Sequence, residues 1–180
     1  DVEEILPTVG IRPEFIYQSA NYRTSVYADA MKKALQHKRD IMDILDRFRK
    51  EPLADSWWPI SVFCGNCGKD TTAVERWDGD YGIAYGCSSC GHHEESDLRK
   101  ANNVKLLWRI DWPMRWCHEG VDFEPAGKEH HSSGGSFDTA KLIAKAVYDH
   151  EPPVTFKYDF ISIKGQGGKI SSSLGNVISL

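Results

Sequence analysis

The sequence predicts an α/β chain: part of a parallel sheet, preceded by a helical segment and a small cysteine-bearing ribbon. Three observations carry this reading. Strand-like runs alternate with an amphipathic helix pattern toward the C-terminal end. Apolar residues at three- and four-residue steps mark the N-terminal part as helical. Between these regions, two C-x-x-C-G elements flank a hairpin pattern. The 180 residues leave room for one sizeable core, or one core and a satellite. A hydrophobic share of 41% and a charged share of 27% exclude wholesale disorder. The net charge of −4 excludes coating of nucleic acid or anionic membrane by charge alone, but not a local basic surface. No stretch approaches the roughly 18 apolar residues of a membrane span, so a soluble protein is expected.

Residues 1–53 open on an irregular stretch holding Pro7, Gly10 and Pro13. A long helix is expected over about 19–50, because Tyr22, Val26, Ala30, Ile41, Ile44, Leu45 and Phe48 recur as one apolar face. Pro52 ends it. Lys32, Lys33, His37, Lys38, Arg39, Arg47, Arg49 and Lys50 make this the most basic part of the chain. Such a run reads first as a solvated helix face; the alternative is a surface for a polyanion. Residues 54–107 read as short strands, with runs at 71–77 and 81–85 joined around Asp78-Gly79-Asp80. Residues 108–180 form the third region. Its expected elements are a strand entering it over 104–110, strands over 121–125 and 155–163, and a helix over about 137–149. A partial sheet has an open edge, through which the isolated chain is expected to self-associate.

Cys64-Gly65-Asn66-Cys67-Gly68 and Cys87-Ser88-Ser89-Cys90-Gly91 stand 19 residues apart, counted between Cys67 and Cys87. Two residues between thiolates let both sulfurs face one metal from a tight turn, and each following glycine suits a left-handed backbone. Cys64, Cys67, Cys87 and Cys90 together fill a tetrahedral zinc site with no open position, which makes the zinc structural. His92 and His93 follow directly, but four cysteines complete the ligand set. Cys117 is left over and is expected as a buried or partly buried thiol.

The stretch Lys164-Gly165-Gln166-Gly167-Gly168-Lys169-Ile170-Ser171-Ser172-Ser173-Leu174-Gly175-Asn176 combines close-approaching backbone amides, lysine charge and hydroxyl donors. That kit suits a phosphate ester. It is not a P-loop, because Lys-Ser/Thr does not follow the required glycine frame.

The order Gly-Gly-Lys-Ile-Ser-Ser-Ser-Leu-Gly-Asn resembles the K-M-S-K-S signature of class I aminoacyl-tRNA synthetases. The stretch from Trp108-Arg109-Ile110-Asp111-Trp112 to Trp116 is similar to the class I lysyl-tRNA synthetases, as are Phe123-Glu124-Pro125-Ala126-Gly127-Lys128-Glu129-His130 and Ser133-Gly134-Gly135-Ser136-Phe137-Asp138. The resemblance implies the zinc-ribbon insertion (54–107), after a helical part (1–53), and the second half of a Rossmann-like catalytic domain (108–180). It implies a cytoplasmic enzyme joining lysine to ATP, with magnesium, and passing the lysyl group to tRNA(Lys). Lys169 matches the catalytic lysine on the phosphates, and Gly127, Glu129, Lys169, Ile170, Ser171 and Ser173 match the ATP site. Trp108, His130 and Tyr158 match the lysine pocket, with His131 a rival for His130; Asp111 and Glu124 either orient neighbours or cap loops.

Two departures qualify the match. Ser172 stands where the signature carries its second lysine, and the seven histidines hold no H-x-G-H spacing. A fragment unable to form lysyl-adenylate alone is therefore expected. The alternatives are a non-enzymatic zinc-ribbon module binding nucleic acid or protein, and a glutamyl- or cysteinyl-type class I synthetase.

Overall fold

The computed structural model describes residues 2–159 and residue 170. Helix α1 (Val2–Ile5) runs into a 3-10 turn, and the long helix expected over 19–50 is three helices: α2 (Gln18–Arg23), α3 (Ala28–Gln36) and α4 (Lys38–Asp46). The first break is at Ser25, which takes a left-handed φ of 57° and donates its hydroxyl to the Ala101 carbonyl at 3.0 Å. Tyr27 then folds back on α2, with its hydroxyl 2.6 Å from Gln18 Oε1 and 2.9 Å from Asn21 Nδ2. The second break is His37, whose Nδ1 lies 2.7 Å from Asp40. Helical periodicity survives both breaks, so the sequence shows one stripe where the backbone makes two turns.

The basic face is largely paired within the chain. Lys32 bonds Asp80, Arg39 meets Asp55 at 2.7 Å, and Lys38 lies 4.0 Å above the Trp58 ring.

Strand β1 (Ile60–Val62) pairs antiparallel with β5 (Val104–Leu106), while β2 (Thr72–Trp77), β3 (Gly82–Cys87) and β4 (His93–Asp97) form an antiparallel three-stranded sheet. The β2–β3 turn is at the expected Asp-Gly-Asp, where Asp78 Oδ1 accepts the amides of Asp80 and Gly82 at 2.7 and 3.0 Å. Strand β4 was not legible because His-Glu-Glu-Ser-Asp carries no apolar alternation.

The strand expected over 104–110 ends at Leu106, and α5 (Trp108–Glu119) follows. Trp108 therefore begins a helix rather than ending a strand. Pro113 sits inside α5, where it removes one backbone bond, but its neighbours Trp112 and Met114 are buried and hold the helix in place. Gly120, with φ of 63°, closes α5 in a left-handed cap. Cys117 is exposed, a correction to the buried thiol expected from sequence, with Sγ 3.9 Å from the Tyr148 carbonyl.

The last unit is β6 (Phe123–Gly127), a 3-10 turn at Lys128–His131, α6 (Ser136–Tyr148) and β7 (Val154–Tyr158). The two strands are parallel and in register from Phe123↔Val154 to Gly127↔Tyr158. This is the expected α/β element, with α6 as the crossover.

The ribbon and the helices share one core. Tyr27, Met31, Leu35 and Ile41 pack with Ile60, Val62, Ile83 and Tyr85, and with Ile143 and Val147 of α6. A second cluster joins Trp112 and Trp116 of α5 to Phe137, Ala140 and Ala144 of α6. Helix α5 thus buries two faces, Ile110 and Met114 toward the first cluster and the tryptophans toward the second. Each fully buried large side chain contributes roughly 1.5–3 kcal/mol. Among the described residues, no helix is long and apolar enough to cross a membrane.

Candidate metal centre and active-site cleft

The two C-x-x-C turns approach each other because β2 and β3 pair between them. Cys64 follows β1, Cys87 ends β3, and the β2–β3 register sets Thr72 opposite Cys87. The four sulfurs lie within 4.8 Å of one another, with 3.6 Å from Cys64 to Cys90 and 3.7 Å from Cys67 to Cys87. A tetrahedral Zn–S distance near 2.3 Å sets sulfur–sulfur edges of about 3.8 Å, so this donor set fits zinc.

The two turns are built alike. Gly68 and Gly91 have φ of 70° and 69°, and their amides donate to the carbonyls of Cys64 and Cys87 at 2.8 and 2.9 Å. The amide directly after each glycine then faces sulfur, Lys69 toward Cys67 and His92 toward Cys90. Burial pushes the Cys87 thiol up, but Thr71 and the amides of Cys90 and Ser89 pull it down to about 6. Glu94 takes His92 Nε2 at 3.3 Å, and Glu75 takes His93 Nδ1 at 3.1 Å, so both histidines face carboxylates.

A second group gathers at the C-terminal ends of β6 and β7, where parallel strands characteristically open a binding crevice. Gly127 is opposite Tyr158, and Glu129 folds over Gly127 so closely that a Cβ there would lie 2.6 Å from its carboxylate. His130 Nε2 is 3.8 Å from Glu129, and His130 Nδ1 is 2.7 Å from Ser136 Oγ at the start of α6. Trp108 stacks on Trp112 at 5.1 Å, and both face His130, at 6.5 and 5.4 Å. Trp108 and Tyr158 are half-exposed, and the Arg115 guanidinium lies 5.8 Å from the Trp108 ring centroid. A cation suits such a wall.

The structure separates the two adjacent histidines. His131 packs 4.5 Å from the Phe137 ring, lies 3.2 Å from Thr155 Oγ1, and burial lowers its pKa. It ties α6 to β7, while His130 faces the tryptophans. Asp111 takes the Tyr22 hydroxyl and lies 2.9 Å from Arg115 Nε, and Glu124 accepts Trp116 Nε1 at 3.2 Å. Both acids orient neighbours. Trp112 and Ser136, both in contact with His130, complete the wall and were not singled out from sequence. The four-residue spacing of Trp108, Trp112 and Trp116 is the signal for the first. Of the glycine-rich segment, Ile170 is described and half-buried, while Lys164, Lys169, Ser171, Ser172 and Ser173 lie outside the described residues.

A family model described as tRNA synthetases class I (K) matches residues 1–180. The chain belongs to that family. It is 57% identical over 180 residues to a lysine–tRNA ligase of Borrelia garinii subsp. bavariensis, with 100% of this chain covered and 34% of the ligase. It is 51% identical to that of Treponema pallidum, covering 100% of the chain and 34% of the ligase. For the Pyrococcus furiosus ligase the identity is 46%, with 99% and 34% covered. This class I synthetase chain therefore spans about a third of the length of the curated relatives it matches.

One prediction arises directly from the cleft. Gly127 has an ordinary φ of −59°, so Gly127→Ala strains no backbone, and the nearest atoms it meets belong to the movable Glu129 carboxylate. The variant is expected to cost under about 1 kcal/mol in thermal unfolding while displacing Glu129. A loss well beyond that would show that the close approach holds the fold itself.

Proposed function

We propose that the chain supplies the zinc-bearing, ATP- and lysine-contacting part of a lysine–tRNA ligase. Residues 1–53 act as its helical part, 54–107 as the zinc insertion, and 108–180 as the second half of a Rossmann-like catalytic domain. The observation that carries this reading is the convergence of Glu129, His130, Trp108 and Tyr158 around the C-terminal ends of the parallel pair.

In this reading the lysine carboxylate attacks the α-phosphorus of ATP. The bond to the β-phosphate oxygen breaks, and its electron pair leaves with pyrophosphate. The attacking group is already anionic, so this step needs positioning and charge neutralisation rather than a general base. Lys169 contacts the phosphates, Ser171 and Ser173 donate to them, the Ile170 main chain lies near adenine, and Gly127 lets Glu129 hold a ribose hydroxyl. Magnesium, when bound, adds neutralising charge on the phosphates. The Trp108 and Tyr158 faces receive the substrate ammonium, with His130 held against them by Ser136. The terminal adenosine hydroxyl of tRNA(Lys) then takes the lysyl group, releasing AMP and a proton.

Zinc, held by Cys64, Cys67, Cys87 and Cys90, fastens the ribbon and takes no part in the reaction. The enzyme works in the cytoplasm. Alone, the chain offers the exposed Val154, Phe156 and Tyr158 of β7 for pairing with a second copy.

Steady-state kinetics of the full-length enzyme test the assignments. Trp108→Ala and His130→Ala are expected to raise KM for lysine at least about tenfold, with KM for ATP within roughly twofold; Glu129→Ala is expected to do the reverse. Unchanged lysine KM in both variants would remove these residues from the pocket.

A further inference from the structure

Asp111 and Arg115 stand one turn apart on α5 and form a shielded ion pair. Their side chains are 14% and 25% exposed, and Asp111 Oδ2 lies 2.9 Å from Arg115 Nε. That Nε is buried and makes no aligned hydrogen bond among the described residues, so charge rather than directed bonding holds the pair. The other oxygen of Asp111 takes the Tyr22 hydroxyl of α2. Burial, and then the Asp111 charge, raise the Tyr22 pKa, so the phenol stays a donor. One carboxylate thus fixes a guanidinium and a tyrosine, and that tyrosine also receives the Leu106 amide at 3.3 Å.

The guanidinium matters because of its neighbour. Arg115 follows Trp108 by seven residues, which brings it to the same helix face, and its Cζ lies 5.8 Å from the Trp108 ring centroid. Trp108 is half-exposed and stacks on Trp112. The wall proposed for the substrate ammonium therefore already carries one cation. A second positive charge on that ring would meet the first across roughly 8–10 Å. Uncompensated, the repulsion lowers affinity about twofold in a water-like medium and about twentyfold at the effective dielectric of a protein surface. Asp111 is the group that compensates it.

We infer that Asp111 is a positioning residue that sets the charge specificity of the lysine pocket: it anchors and neutralises Arg115, so that the Trp108 wall accepts an ammonium. The inference rests on the pocket reading above. Its rival is a pair that only locks α5 to α2. The two differ in sign. For a structural lock, removing either partner harms lysine binding; for charge compensation, removing the carboxylate harms it and removing the guanidinium does not.

The test is steady-state kinetics of the full-length enzyme. Asp111→Asn keeps an acceptor for Tyr22 and removes the charge. It is expected to raise KM for lysine about three- to tenfold, with KM for ATP within roughly twofold. Arg115→Met leaves the carboxylate bare and is expected to lower the lysine KM or leave it unchanged. Tyr22→Phe keeps both charges and is expected to stay within about twofold of the parent. Should Asp111→Asn fold poorly, Asp111→Asn/Arg115→Met is compared with Arg115→Met, and the protein that keeps the carboxylate should have the lower lysine KM. An unchanged lysine KM in Asp111→Asn overturns the proposal. So does a rise in Arg115→Met or Tyr22→Phe that matches the rise in Asp111→Asn. Trp108→Ala, assayed alongside, separates the two layers. If it raises the lysine KM while Asp111→Asn does not, the charge assignment fails and the pocket stands. If neither moves it, the pocket reading fails and this inference falls with it.

Discussion

Cys87→Ser is expected to lower bound zinc from about one equivalent to under half an equivalent and to unfold the ribbon. Cys87 is the buried end of β3, and its sulfur lies 3.7 Å from Cys67. Structural zinc contributes on the order of 10–16 kcal/mol in small peptides, which matches or exceeds the roughly 5–15 kcal/mol that stabilises a whole domain. The loss should spread inward by a definite route. Ile83 and Tyr85 of β3 pack against the α3 and α4 side chains Met31, Leu35 and Ile41. Hydrogen exchange should therefore lose protection first across β1–β4, then in α3 and α4, with α5 and α6 persisting longest. Cys117→Ser, at an exposed thiol away from the cluster, should leave both zinc and exchange unchanged. A Cys87→Ser protein that keeps its metal and its protection would sink the four-cysteine assignment.

The second large effect is expected from Trp116→Ala. Trp116 is 1% exposed, packs against Trp112 and Phe137 at 5.3 and 5.2 Å, and donates Nε1 to Glu124 at 3.2 Å. Truncation removes the largest side chain between α5 and α6 and leaves the Glu124 carboxylate without its donor. Such a change costs about 3–5 kcal/mol, or a fall in Tm of roughly 6–20 °C for a chain of this size. Trp108, on the same helix face but half-exposed, should cost under about 1 kcal/mol when cut to alanine. Equal losses in the two variants would mean that Trp108 is core and not a wall of the cleft.

The chain shows where residue pattern suffices and where it does not. The cysteine turns were legible because ligand spacing and the following glycines are local requirements, and the hairpin because Asp-Gly names its own turn. The βαβ unit was legible because 121–125, 137–149 and 155–163 change from two-residue to helical periodicity. The breaks at Ser25 and His37 were not, since each depends on partners distant in sequence or on a single side chain, as with the Ala101 carbonyl. Helix α5 was masked by Pro113 and by a run of tryptophans whose strand preference competes with their four-residue spacing. Of the cleft, Glu129, His130 and Tyr158 were named through motif resemblance. Trp112 and Ser136 needed the fold, because only the packing of α5 on α6 brings them to His130.

Lysine-dependent ATP–pyrophosphate exchange by the full-length enzyme tests the central claim most directly. The account predicts exchange stimulated by lysine, and not by glutamate or cysteine, that collapses by at least about a hundredfold in Lys169→Ala. Exchange driven by glutamate or cysteine, or lysine-driven exchange indifferent to Lys169, would contradict it.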